Sequence, residues 1–130
     1  MKLSTLLKLQ LIYCIAGIGY NVVSAIVVMN GGQQLSTTMP LKGGLVMTAY
    51  GLCLLPALFD KILLYRILMV VCIIGLGYGG ILLHLINWST DPSMYPSVAA
   101  WALAAGINVY GIILNIIAAL GKFRTGESAA

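Results

Sequence analysis

The stretch "LQLIYCIAGIGYNVVSAIVVM" at residues 9–29 contains no charged side chain, and none follows it until Lys42. It meets the roughly 20 apolar residues that a helix needs to cross the hydrocarbon layer of a bilayer. Three more uncharged runs follow, Gly43–Phe59, Ile67–Thr90 and Pro92–Gly121. The 130-residue chain is 61% hydrophobic and only 8% charged, whereas soluble domains carry about a quarter charged residues. Its mean hydropathy is +1.03. These runs predict an all-α membrane protein, a compact four-transmembrane-helix bundle in one integral membrane domain over residues 1–130. The helices are expected near 5–29, 41–59, 62–88 and 97–122, with external loops at 30–40 and 89–96 and a frayed tail at 123–130.

The turns carry matching signals. "NGGQQLSTTMP" at 30–40 and "STDPSMYP" at 89–96 are loop sequences rich in Gly, Pro, Ser and Thr. Pro56 lacks a backbone donor and should loosen the end of the second helix. "DK" at 60–61 leaves room for only a tight turn. The net charge of +4 does not point to nucleic acid, because of where the cations fall. Lys2, Lys8, Lys61, Arg66, Lys122 and Arg124 share one side of a four-span chain, and only Lys42 lies on the other. That bias predicts cytoplasmic termini and a bacterial inner membrane. A cleavable signal is disfavoured by the length of the first run, and Tyr13 before Cys14 spoils a lipoprotein box.

The heptapeptide "CIAGIGY" at 14–20 returns as "CIIGLGY" at 72–78, and the same alignment pairs Lys8 with Arg66. "AYGL" at 49–52 likewise resembles "VYGI" at 109–112. The recurrence predicts two tandem related hairpins, a parallel repeat about an axis along the membrane normal.

Small and polar residues mark the faces that pack, because lipid supplies no hydrophobic force between helices. On the first helix Gln10, Cys14, Gly17, Asn21, Ser24 and Val28 form one stripe; on the fourth, Ala100, Ala104, Asn108, Gly111, Asn115 and Ala118 form another. Asn21 and Asn108 should face inward, since an unpaired amide in hydrocarbon is costly. On the third helix Gly75 and Gly79 share one arc, while Gly77, Gly80, His84 and Asn87 share another; two small faces predict a central position for this helix. Tyr20, Tyr50, Tyr78 and Tyr110 lie near mid-span beside glycines, their hydroxyls expected to bond carbonyls or asparagines. Cys14, Cys53 and Cys72 are read as packing residues.

No catalytic constellation emerges. His84 is the sole histidine, and 18 residues beyond Arg66 at about 1.5 Å each it stands roughly 27 Å away, near the outer interface with Asn87 and Trp88. There, with Tyr95 and Trp101, it reads as part of an interfacial aromatic anchor. No mid-span acid offers coupling to protons or sodium, and no cofactor or metal is expected. "NWS" at 87–89 fits a glycosylation acceptor but abuts the membrane. The leading expectation is a non-enzymatic subunit or accessory protein that contacts membrane lipids and a membrane partner or itself. The alternative is a small transporter or channel for a neutral or amphipathic solute or lipid, with Asn21, Ser24, Tyr78, Asn108 and Asn115 as its interior path.

Overall fold

A computed structural model describes residues 1–126. In chain order it contains α1 (Leu3–Met29), α2 (Pro40–Leu52), α3 (Leu55–Leu58) and α4 (Ile62–Gly77). A π-helical segment (Tyr78–Leu82), α5 (Leu83–Thr90), a 3-10 turn (Pro92–Met94) and α6 (Val98–Ala119) follow. No named strand occurs among the described residues. Four stretches are long and apolar enough to cross a membrane: Leu3–Met29, Pro40–Leu58, Ile62–Thr90 and Val98–Ala119, spans one to four. Their outer surfaces expose Leu11, Ile15, Ile74, Leu103 and Ile113, side chains that lipid covers and water penalises. The chain is an all-helical integral membrane protein.

The ends of the helices follow from local chemistry. After α1, Gly31 takes φ of 82°; its amide bonds the Val28 carbonyl, and that of Gly32 bonds Val27. Gly121, at φ of 68°, closes α6 through the same pair of bonds, to Ala118 and from Lys122 to Ile117. Both are Schellman caps, in which glycine adopts the left-handed backbone that a side chain resists. The Arg66 guanidinium adds a bond to the Ala119 carbonyl at 3.0 Å. Span two is interrupted at Cys53 and Leu54 rather than running unbroken to 59. Pro56 explains the break, because its ring clashes with the carbonyl four residues back and offers no N–H. Asp60 makes the reverse turn into α4 with φ of 57°, a conformation that Asp tolerates better than most residues.

Phe123 and Arg124 are docked rather than frayed. Arg124 exchanges backbone bonds with Met1 and Leu3, and Phe123 sits edge-on to Tyr65 at 6.1 Å. Residues 127–130 of the expected frayed tail lie outside the described residues.

Span one packs along spans two and four, and span four packs along spans one and three. α2 stands apart from α4, and these spans close up only where α3 lies on α4. The third helix is therefore peripheral, and spans one and four share the centre. The predicted stripes explain why. Gln10, Cys14, Gly17 and Ser24 are buried on α1, as are Ala100, Ala104, Gly111, Asn115 and Ala118 on α6. Val28, in the last turn of α1, is exposed. At the α1–α6 contact the Tyr13 ring lies flat against Gly111, where a Cβ would overlap it. Beside it, Gly17 accepts Met47 and Gly51 accepts the Cys14 thiol. The core of Leu6, Tyr13, Met47, Tyr50, Tyr65, Met69 and Leu114 occupies the half of the bundle nearer the chain ends.

Candidate functional site

Two polar assemblies lie inside the bundle, and they differ in whether they can receive a ligand. The first is a closed chain. Tyr65 donates to the Gln10 carbonyl, and the Gln10 amide donates to Asn115 Oδ1 at 3.0 Å and to Met69 Sδ at 3.2 Å. Tyr50 donates to the same Asn115 oxygen at 2.8 Å. All but Met69 are polar, all are buried, and they tie the four spans together. Only the Asn115 Nδ2 lacks a partner among the described residues. Neighbouring Tyr13 bonds Asn108 Oδ1 at 2.9 Å and meets the Tyr50 ring edge-on at 4.9 Å. This assembly fills its space and serves packing.

The second assembly is open. Between spans two and three, in the half away from the chain ends, lies a cavity of about 510 Å³. Its floor is Gly17, Asn21, Ala104 and Asn108, and its two sides are Gly43 with Met47 and Gly79 with Leu83. His84, Asn87, Thr37 and Lys42 give it a polar end. An apolar groove of about 310 Å³ continues from it along the gap, past Ala49, Cys53 and Cys72. Cavity and groove share Val46, Gly75 and Leu76, so they form one cleft.

Why the cleft stays open is legible in the glycines. A Cβ placed on Gly75 or Gly79 would meet nothing within 4 Å. This GxxxG pair is thus not a groove for another helix of the same chain. Gly80, by contrast, is pressed onto the Asn108 amide. The π-helical segment supplies the remaining geometry. A wide turn acts as one residue inserted into an α-helix, and it turns everything beyond it back by about 100° relative to a regular helix. Sequence spacing put His84 and Asn87 on a different arc from Gly75 and Gly79. The π segment brings all four onto the cleft.

The loop between α1 and α2 roofs the polar end. The Leu35 amide donates to Ser24 Oγ at 2.8 Å, and its carbonyl accepts from Tyr20 at 2.9 Å. The roof then reaches across the gap: Asn87 Nδ2 donates to Thr37 Oγ1 at 3.0 Å, and Gln33 Nε2 donates to the Ser93 carbonyl at 2.8 Å. Behind His84, its Nδ1 pairs with the Tyr95 hydroxyl at 2.6 Å, and Trp101 Nε1 donates to its carbonyl at 3.0 Å. Trp88 stacks on Trp101 at 4.8 Å and flanks Tyr95. The Asp91 carboxyl accepts from the hydroxyl and amide of Ser93, which hold it below the ordinary carboxylate range and fix the turn after α5.

Of the five residues in the expected interior path, the cleft receives Asn21 and Asn108. Asn21 Nδ2 is tied back to the Gly17 carbonyl at 2.8 Å, and Asn108 Nδ2 to Ala104 at 2.8 Å. Ser24 holds the roof, and Asn115 belongs to the closed chain. Tyr78 is 59% exposed on the outer surface, and the π segment that begins there turns the following residues to the cleft while Tyr78 faces away. His84 is 4% exposed and forms a wall of the cavity, and the aromatic residues near it pack on one another. Tyr20, Tyr50 and Tyr110 do bond carbonyls or an asparagine, at Ala100, Asn115 and Leu9 respectively.

The reading of single residues overlooked Lys42 and Thr37. Lys42 had a visible signal, being the lone cation on its side. Thr37 had none, because its role depends on where the roof crosses. Among the described residues no three His, Cys, Asp or Glu side chains gather as a metal site would require. No family model, curated protein or solved structure matches this chain.

Proposed function

We propose that this chain is a non-enzymatic membrane protein that takes an amphipathic molecule from the bilayer into the cleft between spans two and three. The observation that carries this reading is the cleft itself, apolar along its length and polar at one end. Ligand sites are concave, mostly apolar and furnished with a few convergent polar groups. His84, Asn87, Thr37 and Lys42 are such a set. The absence of a carboxylate from the lining favours a carrier or binding role over ion-coupled pumping.

A second reading, an accessory subunit working through helix contacts, draws on the uncovered Gly75–Gly79 face, which would accept a partner helix. In either case the cation bias supports cytoplasmic termini and a bacterial inner membrane, with the polar end of the cleft on the outer side. The paired heptapeptides support a duplication whose copies have since diverged: Cys14 bonds the Met47 carbonyl, whereas Cys72 lines the groove.

Filling the cleft tests the binding reading. The double variant Gly75→Leu, Gly79→Leu replaces two poor helix formers with a good one and adds bulk only where space is open. Lipid extracted from protein purified in mild detergent should fall by more than half relative to the parent. Unchanged lipid retention, with a transmembrane partner lost instead, would favour the subunit reading and overturn this one.

A further inference from the structure

Resting on the cleft as a binding site, we infer that its occupant is a lipid with an anionic, phosphate-bearing headgroup, the head at Lys42 and one acyl chain along the groove. Four features of the polar end agree on the sign of charge. Lys42 stands at the mouth, and no Asp or Glu lines the cavity to balance it. It also occupies the first turn of α2, the pole of a helix where a cation is disfavoured and an anion is stabilised. That pole is uncapped, since Met39 contributes no side-chain bond. Pro40 has no amide, and Gly43 is the first residue whose amide reaches back into the helix, to the Met39 carbonyl. The amides of Leu41 and Lys42 are therefore the donors that the helix leaves over. Thr38, Met39 and Gly43 line the cavity, so this helix end borders it directly.

The opposite wall and the roof supply neutral polar groups. Asn87 and Thr37 are already bonded to each other, yet a hydroxyl and an amide each retain further capacity. His84 has Nδ1 committed to Tyr95, which leaves Nε2 as its second polar atom. A cation, free backbone donors and neutral polar side chains suit a phosphodiester or phosphomonoester, whose charge-assisted bonds are the strong kind. They hold no carboxylate for the ammonium of a zwitterionic head.

The groove fixes the rest of the ligand. From His84 to Cys72 is 12 residues of span three, about 18 Å at 1.5 Å per residue. One leaflet's hydrocarbon is about half of the roughly 30 Å core, about 15 Å. The whole cleft, polar end and groove together, thus runs about as deep as one leaflet, and the gap between α2 and α4 lets an acyl chain enter sideways. A free phosphate would use only the polar end and leave the groove empty.

Native mass spectrometry of the full chain in mild detergent tests the assignment. The probes are phosphatidylglycerol, phosphatidylcholine with the same acyl chains, and inorganic phosphate. Phosphatidylglycerol should be retained about fivefold more strongly than phosphatidylcholine, the worth of one lysine at a membrane surface. Lys42→Gln should remove that preference, and Lys42→Arg should keep it. Lys61→Gln, exposed at the opposite end, should leave it intact. Equal retention of both lipids, a preference that survives Lys42→Gln, or bound phosphate without lipid preference would each overturn the assignment. If the two lipids are held equally and both are lost on Gly75→Leu, Gly79→Leu, charge recognition fails while the cleft reading stands. If neither lipid is held, the cleft reading fails as well.

Discussion

At the scale of single residues, Gln10 and Asn115 show how a polar side chain justifies its place in a membrane core. Gln10 is fully buried and has partners for both ends of its amide. Asn115 accepts two bonds through Oδ1 and leaves Nδ2 without one. Loss of a buried partner costs about 1–3 kcal/mol, whereas relief of an orphaned donor returns a comparable amount. Gln10→Leu should therefore destabilise the bundle by about 1–3 kcal/mol, and Asn115→Leu, which strands the Tyr50 hydroxyl but also removes its own orphaned donor, by less. Unfolding titrations in mixed micelles would measure both; a larger loss for Asn115→Leu would refute this account. The small and polar stripes containing these residues were legible in sequence, since spacing of three and four survives in a straight helix. Their division into a closed chain and an open cleft was not, because it depends on rings such as Tyr13 and Tyr65 that arrive from outside the stripe.

At the scale of elements, span three departs most from what its sequence foretells. A helical wheel assumes a constant turn, and on that assumption Gly75 and His84 part company. The π segment at Tyr78–Leu82 cancels the difference. Its position is consistent with Gly80 at its centre, where the missing side chain lets the wide turn press against Asn108. Deletion of Gly79 removes the extra residue and should restore a regular helix. His84 and Asn87 would then keep the face they have now, because the deletion takes out the residue that the wide turn absorbs, and phosphatidylglycerol retention and helix content by circular dichroism should both stay at the parental level. A several-fold fall in retention would show that the wide turn itself, and not the register it sets, is what the site needs. Pro56 was the more readable irregularity, since proline announces its break in the sequence. Glycines permit a π turn without requiring one.

At the scale of the whole molecule, the four spans are unequally joined. Spans one and four hold the centre, and spans two and three meet closely only at α3. Four apolar helices and their turns could be read from runs of uncharged residues, but the order of neighbours could not. Glycine density on span three looked like a demand for close contacts, and much of it instead keeps a gap clear. Cys53 and Cys72 belong to facing walls of that gap. Mild oxidation of the protein in membranes should link them, and the link should vanish in Cys72→Ser and persist in Cys14→Ser. Peptide mapping would identify the bridge. A Cys14–Cys72 bridge in its place would contradict the arrangement, since Cys14 is tucked against Gly51 and the Met47 carbonyl.

The wide turn in span three also has a consequence for how the protein can change state. An extra residue in a helix is not fixed to one place: shifting the wide turn by one position exchanges one set of backbone bonds for an equivalent set. Every residue it passes rotates by about a quarter of a circle while the helix stays whole. His84 and Asn87 lie just beyond its present end. Migration of the turn past them would swing both away from the cleft and part Asn87 from Thr37 while leaving the helix unbroken.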